Sequence, residues 1–123
     1  MADADDVRHI ARSLEGAVEI PSEGFDFRVL NRGFVWSYPE HVPGRRRVIR
    51  TDLAVIYVGD ESERQALLNG EPELFQVAAG YGEHPVVVVS LERVSRLRLV
   101  ELITDAWDMR RTNGAGGSPE ALQ

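Results

Sequence analysis

Apolar residues recur at helical spacing near the start of the chain, where Val7, Ile10, Ala11 and Leu14 fall at i, i+3, i+4 and i+7. That spacing puts them on one face of an α-helix. Asp3 stands where a cap would accept the first free N–H groups, and Asp5 and Asp6 lie in the first turn, where the helix dipole favours anions. Gly16 marks the expected end. The period then changes to two. In "FDFRVL" Phe25, Phe27 and Val29 share one face, and in "GFVWSY" Phe34, Trp36 and Tyr38 do the same. Alternation of this kind predicts a hairpin, with "NRG" as its turn and Gly33 supplying the positive φ.

Further along, "PEHVPGRRR" reads as a loop punctuated by Pro39 and Pro43, and residues 52–58, "DLAVIYV", as a third strand. That strand is apolar on both faces, which places it in the middle of a sheet. Asp60 and Glu63 form a capping-box-like pair ahead of Ala66, Leu67 and Leu68, and Asn69-Gly70 ends this second helix. "LFQVA" is a weaker strand, "GYGEH" a turn, and "PVVVVSL" a β-branched strand that Pro85 can only begin. A last helix is expected from Ser95 to Arg110, where Leu99, Ile103, Ala106 and Arg110 share one stripe and Val100, Ile103 and Trp107 the next. The tail from Thr112 is rich in Gly and Ser and is expected to be disordered. The order is α-β(3)-α-β(2)-α: an α+β domain with helices flanking a mostly antiparallel sheet.

Composition narrows the function classes. A chain of 123 residues is the size of one domain, and 43% hydrophobic content is enough for a core. No cysteine is present, which excludes disulfides, Cys-ligated metals and a thiol nucleophile. "MADADDVRHI" is acidic where a signal peptide would be basic, and "LAVIYV" is too short to span a bilayer, so the expected address is the cytoplasm, with no membrane partner. The net charge is -6, and all fourteen basic residues are arginine. Coding bias accounts for most of that arginine use; bidentate recognition of phosphate or carboxylate would account for only part of it.

Candidate chemistry is sparse. His9, His41 and His84 make no HxH or HExxH spacing, so no metal site is expected. No G-x-S-x-G elbow, P-loop or G-x-G-x-x-G follows a strand, so neither a catalytic residue nor a cofactor is assigned. Glu101 and Asp105 lie at i, i+4 on the polar side of the last helix and read as a solvated face. Two features remain. "GRRRVIR" gathers Arg45, Arg46, Arg47 and Arg50, either a solvated loop or a set of contacts to a nucleic-acid backbone. In extended chain its arginines would divide between two faces, Arg46 and Arg50 on one, Arg45 and Arg47 on the other. The aromatic residues Trp36, Tyr38 and Tyr81, with His84 beside them, either fill the core or line a shallow groove for a small molecule or peptide.

Several stretches together resemble the MmcQ/YjbR family. They are "DDVRHIARSLEGAVE", "GFVWSYPEHVPGRRR", "ERQALLNGEPELF", "GYGEHPVVVVSLERV" and "LVELITDAWDMR", covering roughly residues 4 to 111. The resemblance implies one domain over residues 1–111, a tail over 112–123, and a strongly bent antiparallel sheet of the secretion-chaperone-like, double-wing-like type. It also implies a DNA-binding or regulatory protein; the residues themselves leave monomer and homodimer both open. Many members of that family carry Pro-His-Tyr ahead of the valine-rich strand, where this chain reads Ala79-Gly80-Tyr81. A function that needs that imidazole is not carried over.

Overall fold

The computed structural model describes residues 1–82 and 84–115. Nine elements follow one another: α1 (Ala4–Arg12), β1 (Val18–Glu19), β2 (Asp26–Val29), β3 (Arg32–Glu40), β4 (Val48–Tyr57), α2 (Glu61–Gly70), β5 (Phe75–Val77), β6 (Val86–Ser90) and α3 (Arg96–Ala115). The six strands form one sheet in the order β1-β2-β3-β4-β6-β5, every pair antiparallel. The fold is α+β, as the patterning predicts. The short β1 is an addition: two residues carry no readable period, and their pairing with Phe27 and Arg28 is what makes them a strand.

β4 lies between β3 and β6, and its last four residues, Ala54 to Tyr57, are buried together with Val58. Val86 to Val89 of β6 are equally buried. Alternate residues of a strand point to opposite faces, so burial in succession means cover on both sides. α3 lies against β2, β3 and β4, α1 packs on α3, and α2 packs on β5 and β6. Leu99, Leu102, Ile103 and Ala106 of α3 and Val7, Ile10 and Ala11 of α1 complete the core. Leu102 joins the stripes read from spacing, while Val100 and Trp107 stay half-buried at its margin.

The helix starts are chemically defined. Asp3 accepts from the Asp6 N–H at 3.0 Å while Asp6 accepts from the Asp3 N–H at 3.0 Å, a reciprocal cap that satisfies two orphan donors. Asp60 accepts from the Glu63 N–H at 2.8 Å, and Ser95 from the Arg98 N–H at 3.0 Å. α1 stops at Arg12 with Ser13 as its C-cap, four residues before Gly16. α3 continues past Arg110 to Ala115, so the first four residues of the expected tail are helical. The rest of that tail lies outside the described residues.

The hairpin turn also differs from expectation. The positive φ angles sit at Leu30 (51°) and Asn31 (63°), not at Gly33, which is already in β3. Consecutive left-handed residues make a two-residue turn whose twist matches its strands. β3 likewise continues through Pro39 and Glu40, which pair with Ile49 and Val48 of β4. A proline is tolerated there because β2 has ended opposite Trp36, and the far edge of β3 needs no donor. Between Ser37 and Tyr38 the register shifts: Ser37 faces Ala54, but Tyr38 faces Arg50. Beyond that bulge, residues 38–50 form a two-stranded arm off the sheet. Among the described residues no helix is long and apolar enough to cross a membrane.

Candidate functional site

Opposite that arm, the strand ends and the last turns of α3 enclose a cleft of about 310 Å³. Trp36 comes from β3, Tyr57 from β4, Val86 from β6, and Tyr81, His84 and Pro85 from the chain between β5 and β6; Arg110 of α3 closes it. Trp36 donates its indole N–H to the Tyr81 hydroxyl at 2.8 Å, and the two rings stand 5.9 Å apart with planes at 53°. The tilted pairing fixes one wall and leaves the Tyr81 O–H proton available to a further acceptor. Trp36 can lie where it does because Gly33 has no side chain. A Cβ at Gly33 would stand 3.0 Å from the indole ring.

The Arg110 guanidinium stacks on Tyr57, its Cζ 3.7 Å from the ring centroid, and its Nε donates to the Gly33 carbonyl at 2.9 Å. A cation over an aromatic face is attracted by the ring quadrupole. Burial holds the Arg110 pKa below the usual arginine range, and the positive charge of Arg32 adds to that lowering while Tyr57 opposes it. A second hollow, of about 470 Å³, lies between α2 and α3 and is lined by Asp60, Glu63, Asp105 and Asp108 with Arg98 and Met109. Among the described residues no group of three or more His, Asp or Glu side chains is placed to hold a metal ion.

The arginine cluster divides differently. Arg45, Arg46 and Arg47 lie in the exposed loop at the tip of the arm, before β4 begins, so strand alternation does not govern them. Arg50 lies within β4 and is held by two carboxylates. Its Nε and Nη2 donate to Asp52 at 2.9 and 2.7 Å, and its Nη1 to Glu40 at 3.1 Å. Three groups with a formal sum of -1 surround that position, so Arg50 offers little to a phosphate.

The chain is 30% identical over 117 residues to uncharacterized protein Rv2570 of Mycobacterium tuberculosis, a match spanning 89% of each chain. Uncharacterized protein Mb2600 of Mycobacterium bovis matches to the same extent. The chain belongs to the family of these mycobacterial proteins. No family model matches it. Among solved structures it is similar to Deinococcus radiodurans protein DR2400, a DUF419 domain, with a TM-score of 0.68 over 93% of this chain and 82% of that one. At 19% identity the likeness concerns the fold alone.

In this member of the mycobacterial family, the cleft gathers three of the four aromatic and imidazole residues singled out from sequence: Trp36, Tyr81 and His84. Tyr38 is not among them; it lies in the arm beyond the register shift, paired with Arg50. Tyr57 and Arg110 were missed. Arg110 had a signal, because it falls on the apolar stripe of Leu99, Ile103 and Ala106, where a charge needs a reason. It reads equally well as a helix-end cation, and only packing separates the two. Tyr57 had no signal distinct from core.

The Arg50–Asp52 pair has a measurable consequence. The hydrogen bonds from Arg50 hold the Asp52 carboxyl below the usual carboxylate range, against a smaller opposing effect of burial. A carboxyl depressed in the folded state adds stability above its unfolded pKa, and that stability is lost as pH falls through the folded value. Asp52→Asn is therefore expected to flatten the loss of stability on acidification below about pH 4, measured by urea unfolding at stepped pH. Both side chains are over a third exposed, so the difference will be a fraction of a kilocalorie, on the order of other surface pairs. An unchanged pH profile would show that solvent screens the pair completely.

Proposed function

We propose that this protein is a cytoplasmic, non-enzymatic binding module of the MmcQ/YjbR type, and that it takes a small molecule in the cleft formed by Trp36, Tyr57, Tyr81, His84 and Arg110. The observation that carries the reading is the cleft itself, a concavity of about 310 Å³ with aromatic walls and a few convergent polar groups. That volume is at the small end of the ligand-pocket range, roughly 300 Å³ upward. Trp36 donates to Tyr81 and Arg110 to the Gly33 carbonyl, and neither contact sets a base beside a nucleophile. This favours binding over catalysis. The chain's two tryptophans make the test specific, because Trp36 lines the cleft while Trp107 donates to the Glu15 carbonyl elsewhere. Titrating indole into the labelled protein should shift the Trp36 side-chain N–H resonance and leave that of Trp107 in place. Equal movement of both, or of neither, would count against the cleft.

A second reading is favoured by one specific observation: Arg45, Arg46 and Arg47 are adjacent, exposed, and make no ion pair among the described residues. At the tip of a two-stranded arm they would act as a wing against a duplex. Three phosphate contacts imply a slope of log K on log salt of about -3. Anisotropy of a labelled duplex at low salt should then fall to baseline when all three arginines become alanine; unaltered binding by that variant removes the reading.

A further inference from the structure

We infer that Arg110 is the anion anchor of the cleft and that the ligand is a small, flat aromatic carboxylate. This rests on the reading of the cleft as a binding site and specifies what it takes. Six of the chain's arginines are half-buried, and five of them have carboxylate partners: Arg8 with Glu19, Arg28 with Asp26, Arg50 with Asp52, Arg64 with Glu61, and Arg98 with Glu71. Arg110 is the sixth, and among the described residues it has none. Half-burial of a cation with no counter-charge among the described residues is unfavourable, and an anion in the cleft would supply that charge. The carboxylates nearest to it along α3 serve other places, since Asp105 and Asp108 line the α2–α3 hollow and Asp108 also pairs with Arg111. Arg32 adds a repulsion that a bound anion would relieve.

The geometry restricts the class further. Stacking on Tyr57 and the bond from Nε to Gly33 fix the guanidinium plane, leaving the two Nη groups as one pair of parallel donors. One such pair suits a carboxylate accepting end-on; a phosphate dianion calls for more donors than a single half-used fork supplies. The remaining walls include the Trp36 and Tyr81 rings beside His84, Pro85 and Val86, and the Tyr81 hydroxyl, which accepts from Trp36, keeps its own proton to donate. The two rings present aromatic faces and edges to a planar ring. A cleft volume of about 310 Å³ has room for one or two fused rings bearing a carboxylate.

The test extends the indole titration with a matched pair, indole-3-acetate and indole-3-acetamide, which differ in charge and hardly in shape. The unaltered protein should bind the acid at least tenfold more tightly than the amide, read from the Trp36 N–H resonance. In Arg110→Met the preference should collapse to about one while the amide still binds, and Arg110→Lys should restore part of it. Equal affinity for acid and amide in the unaltered protein overturns the anchor and leaves the cleft standing. Failure of both compounds and of indole to move the Trp36 resonance overturns cleft and anchor together. The decisive comparison uses the unaltered chain, so a variant that fails to fold does not blunt it.

Discussion

Gly24→Ala is expected to cost about 3 kcal/mol, lowering the melting temperature by roughly 10 °C. The cause is a close approach. A Cβ at Gly24 would overlap the Ser37 hydroxyl oxygen and stand 2.9 Å from Ser37 Cβ and 3.0 Å from a methyl group of Ile49. Ser37 cannot simply move aside. Its hydroxyl accepts from the Phe25 N–H and donates to the Phe25 carbonyl, both at 3.1 Å, so a buried polar side chain joins β3 to the residue before β2. Moving it leaves a buried donor unmatched, which costs about 1–3 kcal/mol by itself. Gly70→Ala provides the contrast. Nothing lies within 4 Å of its would-be side chain, at the end of α2, so that change should be neutral or stabilising by up to about 1 kcal/mol. Paired thermal unfolding curves decide the matter; equal melting temperatures for the two variants would show that the contact at Ser37 relaxes freely.

Ile103→Ala is expected to be costlier still, about 3–4 kcal/mol, because the side chain is wholly buried in the middle of α3. The loss combines the transfer of the removed methyl groups with the cavity left between α3 and the sheet it covers. Leu97→Ala on the same helix removes a side chain that is 75% exposed and should change stability by less than about 0.5 kcal/mol. Chemical denaturation of the two variants reads the difference directly. A small effect at Ile103 would mean that α3 can settle into the gap, and that its packing on β2, β3 and β4 is looser than its burial implies.

Much of this architecture was legible in the chain. α1 and α2 were marked by caps whose chemistry is local, Asp3 with Asp6 and Asp60 with Glu63. β4 and β6 were marked by continuous apolar runs, and continuous burial is what such runs require. Other features left no trace. β1 is two residues long, and its identity comes from its partner strand. The turn at Leu30 and Asn31 was hidden because the neighbouring Gly33 is the residue that ordinarily supplies a positive φ. The extension of β3 through Pro39 was hidden because a proline reads as a break unless the missing neighbour on that edge is known.

The candidate site shows the same division. Trp36, Tyr81 and His84 were distinguishable as amphipathic side chains outside the plain apolar pattern. Their meeting depends on a loop between β5 and β6 closing over β3, a contact 45 residues apart in sequence between Trp36 and Tyr81. The Arg45–Arg50 cluster shows the converse. Its charge count was visible at once, but the carboxylates of Glu40 and Asp52 that neutralise Arg50 reach it from across the arm and from two residues along the strand.

Local chemistry, acting over one turn of helix or one alternation of strand, thus determined from the sequence alone that the chain is α+β, where its helices begin and which strands are buried on both sides. The order of strands, the register shift between β3 and β4 after Ser37, and the placing of Arg110 over Tyr57 were decided by tertiary structure. Each depends on which distant residues share a surface, and hydrophobic periodicity records only that a residue is covered, never by what.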